Sequence, residues 1–338
     1  MKGKGASALS KNDTNIKRVI KDLQKRSEKS LKVAKDAVLG MKLESREINE
    51  ALKHYTRNWN DYVHPGLMSI ACEAVGGNPN EAVPMQAVML MLTAAADIHD
   101  DIIDESKTKY GKPTVFGKFG KDIALLVGDA LLVKALTFLH ELKNRFSEEK
   151  LKTFWNMISD RLFELGEAEA LEASLKGNVN VSPEECLRIL EKKASTFEAH
   201  MRIGALIGGG DREDVNLLSN YGRTLGILFG IREDFIDMFE PDELENRMKN
   251  ECLPLPVLYA SMNPHVKKIL LGYLSKRRIS NEDAENIVDV VYGEKSVKAF
   301  RKEIRRIAGE ASSNISKLKS KSLTTQLQLL LKNAIKEL

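Results

Sequence analysis

Apolar residues return with a helical period along most of this 338-residue chain. The stripes run through 42–55, 66–76, 83–106, 119–142, 149–174, 183–208, 212–239, 253–261 and 282–292, and basic helical sequence follows Ser296. Spacing of this kind collects side chains i, i+3, i+4 and i+7 on one face, the mark of an amphipathic helix. Punctuation falls between the stripes, at Gly76-Gly77-Asn78-Pro79, Gly111-Lys112-Pro113, Gly177-Asn178 and Gly208-Gly209-Gly210. Glycine suits the end of a helix and proline the start of the next. Strand-like alternation is almost absent, and no repeat or low-complexity linker divides the chain. The pattern predicts an all-α, single-domain helical bundle around a central cavity, with about ten or more helices.

Acidic residues interrupt two of these stripes. One carries His99-Asp100-Asp101-Ile102-Ile103-Asp104 and the other Glu233-Asp234-Phe235-Ile236-Asp237. In each, carboxylates stand at i, i+1 and i+4 inside a largely apolar segment. Side chains at i and i+4 stack on one helix face, so Asp100/Asp104 and Glu233/Asp237 are expected to form paired oxygen claws. Such pairs repel and resist ionisation unless a cation joins them. A hard divalent ion such as Mg²⁺ suits them, with ligand phosphate completing its octahedral shell. A charged surface face accounts for one such cluster more simply than for two.

Charged residues make up 30% of the chain and apolar residues 43%, the balance of a soluble globular protein. Cys72, Cys186 and Cys252 are odd in number and far apart, which fits neither a disulfide framework nor a zinc site. A reducing, cytoplasmic setting follows as an expectation. The N-terminus lacks the apolar core of a secretory signal. Gln86 and Asp97, or Asp129 and Lys134, break the longest apolar runs, so no membrane-spanning helix is expected.

The net charge of +4 is unevenly spread: residues 1–40 hold eleven Lys/Arg against four Asp/Glu. Here Ile16, Val19, Ile20, Leu23, Leu31, Ala34 and Val38 form a rough stripe beneath a lysine-rich face. The segment reads as a basic helical extension packed on a body spanning 41–338. Transient contact with an anionic membrane surface is the alternative. No aromatic interleaving or known module points to nucleic acid.

The ordered segments ADIHDDIIDES, GKPTVFGKFGKDIALLVGDALL, LEKKASTFEA, FGIREDFIDMF and LPLPVLYA, within about 45–260, carry a resemblance. With them the chain resembles the trans-isoprenyl diphosphate synthases, or polyprenyl synthetases, an all-helical family of the isoprenoid-synthase type. The resemblance implies a Mg²⁺-dependent prenyltransferase acting on an allylic prenyl diphosphate, with three Mg²⁺ per site and a homodimeric assembly. Asp100 and Asp104 would hold two ions and Glu233 the third, with Asp101, Asp234 and Asp237 supporting the shells. Lys192, in the match to a Lys-Thr-Ala motif, would grip the diphosphate and assist catalysis. Lys109, at the first arginine of an Arg-Arg-Gly motif, would join it, and Arg232, Arg247 and Lys249 are weaker candidates. Ala95 and Ala96 stand where bulky aromatics floor the pocket of short-chain members. Two alanines imply a tunnel continuing past Leu92 and Met89, and an allylic chain of C20 or longer.

The groups that would hold isopentenyl diphosphate depart from the family pattern. Aligned on Pro65, a Gly-Lys-Arg segment and a following arginine become Asn60-Asp61-Tyr62-Val63-His64. Thr93, Tyr110, Lys193 and Gly230 replace a histidine, an arginine, a threonine and a glutamine. Each lost fork removes charge-assisted hydrogen bonds worth roughly 1.5–3 kcal/mol, so isopentenyl diphosphate is a doubtful partner. Trp59, Tyr62 and Tyr110 are candidates for an aromatic wall beside a carbocation. Two alternatives stay open on the same scaffold: a class I terpene synthase, and a non-catalytic subunit that binds prenyl diphosphates.

Overall fold

The computed structural model describes residues 4–109, 111–336 and 338, with side chains inside α1 described from residue 15. The helices are α1 (Lys4–Leu39), α2 (Arg46–Asn58), α3 (Val63–Ala74), α4 (Pro79–Ile103), α5 (Val115–Phe119) and α6 (Lys121–Glu141). There follow α7 (Glu148–Ser174), α8 (Pro183–Lys193), α9 (Ser195–Ile207), α10 (Arg212–Asp237) and α11 (Pro241–Asn250). The C-terminal group is α12 (Leu255–Ala260), α13 (Pro264–Leu274), α14 (Asn281–Gly293), α15 (Lys295–Ile315) and α16 (Lys321–Ala334). Among the described residues the only sheet is a hairpin of β1 (Thr108–Lys109) and β2 (Lys112–Pro113). The expected all-α fold is therefore what the chain adopts.

Start and stop signals explain most of the boundaries. Ser45, Asn78, Ser147, Ser182 and Asp211 each accept a backbone N–H at a helix start, and Ser182 and Glu185 close a full capping box. One expected helix divides. The periodic run 183–208 breaks at Ala194, which caps the end of α8 and the start of α9 without Gly or Pro.

Two buried clusters form the core. One packs α4, α6 and α2 with the end of α1, around Met85, Leu90, Ile98, Leu131 and Phe154. The other joins α3, α9, α10 and the C-terminal helices around Leu67, Leu225, Phe235 and Ile304. Helix α9 crosses α3 so closely at Gly204 that a Cβ there would stand 2.4 Å from the Met68 carbonyl oxygen. Only glycine permits that approach.

Helix α1 lies on this body. Val19, Leu23, Ser27, Ser30, Ala34 and Val38 are buried, while Lys17, Arg18, Lys21, Lys25, Lys29 and Lys32 are exposed. Residues 1–3 and the side chains of 4–14, part of the basic extension, lie outside the described residues. Among the described residues, two helices are long and apolar enough to cross a membrane by length and composition, α4 and the segment Lys121–Asn144. Their polar interruptions argue against a membrane span, yet their average hydropathy survives these. Helix α4 is mostly buried in the core, whereas α6 shows Leu125, Leu126 and Val133 to solvent.

Candidate active site

Helices α4 and α10 both end in their acidic clusters. Asp104 caps α4, its backbone N–H donating to Asp100 O at 2.8 Å, and Asp237 is the last residue of α10. A helix C-terminus carries partial negative charge, so carboxylates there are disfavoured until a cation arrives. Burial, then the charge of Asp100, push the Asp104 carboxyl up to about 8. Asp101 rises to about 6, chiefly through burial, although Lys109 lies 2.9 Å away. Asp100 instead falls below its ordinary value: burial opposes this, but Lys193 and Lys109 outweigh it.

Lys109, on the β-hairpin, pairs with Asp97 at 2.7 Å as well as with Asp101. This puts it at the first acidic cluster, where the sequence predicts it. Lys192 behaves differently. It is expected in the site, but its Nζ pairs with Glu167 at 2.6 Å, and Lys193 is the lysine turned inward. Lys193 contacts Glu172 and lies 3.2 Å from Glu169 and 4.0 Å from Asp100. The reason is helical phase. Buried Cys186 and Ile189 define the inner face of α8, and Lys193 follows Ile189 by four residues, while Lys192 sits about 100° away.

At the second cluster Asp234 is 1% exposed. Its Oδ2 accepts the backbone N–H of Leu255 at 2.9 Å, at the start of α12, and its Oδ1 lies 3.0 Å from Arg247 Nη1. Arg247 also donates to Asp237 from Nε at 2.9 Å and from Nη2 at 2.5 Å. Its guanidinium is thus committed to holding the second cluster. Lys249, expected to bind substrate, pairs with Glu245 at 3.6 Å on the exposed side of α11, because it lies two residues out of phase with Arg247. Glu233 is exposed and stands 3.5 Å from Arg232.

Four further groups join the clusters. Glu169 and Glu172 of α7 meet Lys193, and Glu169 is pushed up to about 8 by burial and the Asp100 charge. Lys176 donates to Ile103 O and stands 4.0 Å from Asp104. Glu251 lies 3.6 Å from Arg247, and its charge acts on Asp104 as well, linking the two claws. The i, i+3 pair Glu169/Glu172 was visible in the sequence, but nothing in it distinguished these from the other glutamates of α7.

Below the carboxylates lies an apolar cavity of about 150 Å³. Ala96, Thr93, Leu92 and Met89 line it from α4, Ile158, Leu162 and Leu165 from α7, and His64 from α3. Ala96 is one turn below Asp100 and Met89 about three, some 16 Å by helical rise. Ala95 is buried in the core instead. Of the aromatic residues expected to form a wall, Trp59 and Tyr62 do not line this cavity. Trp59 packs on Tyr55 in the core and Tyr62 against the other cluster, while Tyr110 lies outside the described residues.

Among the described residues, no three His, Cys, Asp or Glu side chains form a ready-made metal cage. The donor set is nonetheless suited to Mg²⁺, which takes one or two carboxylates and leaves its other positions to water and phosphate. Asp100 Oδ1 is buried without a hydrogen-bond partner, as a carboxylate oxygen reserved for a cation would be.

The polyprenyl synthetase family model matches residues 45–291. A short chain isoprenyl diphosphate synthase of Methanothermobacter thermautotrophicus is 29% identical over 242 residues, covering 71% of this chain and 70% of the relative. A geranylgeranyl diphosphate synthase of Methanosarcina mazei is 28% identical over 244 residues, covering 72% and 75%. The crystal structure of a geranylgeranyl pyrophosphate synthetase from Pyrococcus horikoshii superposes with a TM-score of 0.83 at 23% identity, covering 96% of this chain and 99% of that one.

Proposed function

Because this chain belongs to the polyprenyl synthetase family and is a prenyltransferase, we propose that it uses Mg²⁺ to activate an allylic prenyl diphosphate of C20 or longer. The observation that carries this reading is the placement of the Asp100/Asp104 claw one turn above an apolar cavity that continues to Met89.

Asp100 and Asp104 on one side and Glu233 on the other would hold the metal, with Asp101, Asp234 and Asp237 behind them. Bound there, Mg²⁺ would supply charge neutralisation for the departing diphosphate. Lys109 and Lys193 stand where they can contact that diphosphate, and Lys176 adds a third cation nearby. Arg247 fixes Asp234 and Asp237, and Arg232 flanks Glu233. The small Ala96 side chain leaves the tail room to descend between α4 and α7. Apolar walls keep water from a developing carbocation.

A second reading, a class I terpene synthase, draws support from Asp61 and His64. These stand where cations for a second diphosphate are expected, and they pair with each other at 2.9 Å. We place the protein in the cytoplasm, with isopentenyl diphosphate a doubtful acceptor, and we read the exposed apolar face of α6 as a homodimer surface.

Purified protein, Mg²⁺ and geranylgeranyl diphosphate, with and without labelled isopentenyl diphosphate, test the reading by chromatography of the extracted lipids. Diphosphate release that requires Mg²⁺ is the expected result, and its absence would sink the proposal. A longer labelled diphosphate would restore isopentenyl diphosphate as the acceptor.

A further inference from the structure

Helix α1 has two opposite faces. Its buried residues, Val19, Leu23, Ser27, Ser30, Ala34 and Val38, fall within a sector of about 100° when each residue advances about 100°. The exposed Lys17, Arg18, Lys21, Lys25, Lys29 and Lys32 fall within about 120° on the other side. Against them, the exposed acids between residues 15 and 39 are Glu28 and Asp36. Lys17, Lys21, Lys25 and Lys29 follow one another at i+4, a row of like charges that weakens a helix in water.

These cations are not offset within the chain. Lys29 donates to Asn80 Oδ1 at 2.7 Å. Among the described residues the ion pairs of α1 are those of Arg26 with Asp22 and Glu73, so the other five cations of the face stay unpaired. Helix α15 shows the contrast: its exposed Arg306 pairs with both Glu303 and Glu310. Leu39, at the end of α1, falls in the same sector as the lysines and is 50% exposed, and Leu43 just beyond it is 37% exposed. Apolar side chains beside a basic row suit the boundary between lipid headgroups and acyl chains.

The face also has a place relative to the cavity. Helix α1 packs on α4, where Ala34 and Val38 share a buried cluster with Met85, Val88 and Met89. Lys29 reaches Asn80 at the very start of α4, the end opposite the acidic cluster. The cavity descends along α4 from Ala96 to Met89, toward the end that α1 braces.

We propose that the lysine face of α1, with Leu39 and Leu43 at its end, docks the protein on an anionic lipid surface. The choice of lipid over another polyanion rests on the prenyl diphosphate reading above, because that substrate and its product are themselves lipids. Each Lys or Arg near an anionic leaflet gains attraction that fades within a Debye length. The bilayer supplies the counter-charge that the row lacks, while the leucines enter the headgroup region.

The test floats the full chain, without substrate, on vesicles of phosphatidylcholine with or without phosphatidylglycerol. Wild type should bind only the vesicles with phosphatidylglycerol. Raising salt from about 0.1 to about 1 M, which shortens the Debye length from about 10 to about 3 Å, should release it. K21E/K25E/K32E should lower the ratio of bound to free protein at least about tenfold. K295E/K298E/K302E changes net charge equally at exposed positions of α15 and should bind as wild type does. L39S should weaken binding and keep its salt dependence. Mg²⁺-dependent diphosphate release without vesicles should be alike in all α1 variants, which controls for folding. No binding, equal binding to neutral vesicles, or equal losses in the two triple variants would overturn the docking face. Duplex DNA that displaces the vesicles would overturn lipid as its partner. No diphosphate release from wild type would instead overturn the prenyl diphosphate reading, and with it the reason for choosing lipid.

Discussion

The Lys193 ammonium stands 4.0 Å from the Asp100 carboxylate, at the centre of a group that also includes Glu169 and Glu172. Its neighbour Lys192 points to Glu167 instead. Diphosphate release should accordingly fall by about tenfold or more in K193Q, a loss of roughly 1.4 kcal/mol, and change little in K192Q. Steady-state assays of both variants check this, and a larger loss in K192Q would reverse the assignment.

Asp104 links the site to stability. Its carboxyl titrates near 8 in the folded protein, against about 4 in an unfolded chain. Between those limits the folded state binds more protons. Its contribution is thus most favourable at low pH and declines as pH rises from about 4 to 8. D104N should flatten the fall in melting temperature of metal-free protein between pH 5 and 8. At pH 8 it should melt higher, by roughly 2 °C per kcal/mol of relief, while diphosphate release drops by about 10²-fold or more. Calorimetry across pH, paired with the assay, measures both effects. Equal slopes in the two proteins would contradict the account.

Arg247 is the fixed counter-charge of the second cluster. Removing it leaves Asp234 buried without its cation, a change that costs about 3–5 kcal/mol in comparable pairs. R247M should be destabilised by that order in urea unfolding. R247K keeps the charge but loses the fork and should fall between. A stable R247M would show that Asp234 protonates without penalty.

Ala95 and Ala96 should separate cleanly. Phenylalanine at Ala96 enters the cavity, so kcat/KM for a C20 diphosphate should drop about tenfold relative to a C10 one, or roughly 1.4 kcal/mol. At Ala95 the same ring meets packed core, and the expected effect is about 1–3 kcal/mol of lost stability. Competition assays and thermal melts distinguish the two.

Leu126 and Val133 are 49% and 59% exposed on α6. If this face joins two copies, wild type sediments at about twice its 37.8 kDa chain mass, and L126E/V133E sediments as a single chain. An unchanged species in the double variant would place the interface elsewhere.

The bundle was legible in the sequence, and so were the acidic clusters that end α4 and α10, because their signals are local: helical periodicity, capping residues and runs of carboxylates. What escaped depends on rotation or on distance along the chain. The break at Ala194 has no glycine or proline, so one long helix was expected where α8 and α9 stand. That reading left the inward direction of Lys193 unresolved. Helices α11 and α13 were missed: only Leu244 of α11 is buried, although Pro241 and Pro264 mark the two starts. Glu172 and Glu251 come to the site from different elements, and nothing local announces them. The pairing of Asp61 with His64 is an i, i+3 contact at the start of α3, and against the resemblance both positions read only as lost cations.

The lysines and arginine lodged among the carboxylates act as resident counter-ions. With Lys109 on Asp101, Lys193 by Asp100 and Arg247 on Asp234, the site is an internal salt before any ligand arrives. Loading it is then an ion exchange rather than the filling of a void. A metal diphosphate adds cation and anion together, so carboxylates and lysines can change partners with little change in total charge. On the proposed function, Lys109 and Lys193 would be set free to meet the phosphate oxygens. Metal alone, or diphosphate alone, would displace half of the salt and leave the other half unbalanced. Metal and diphosphate should therefore bind with strong mutual dependence, each tightening the other.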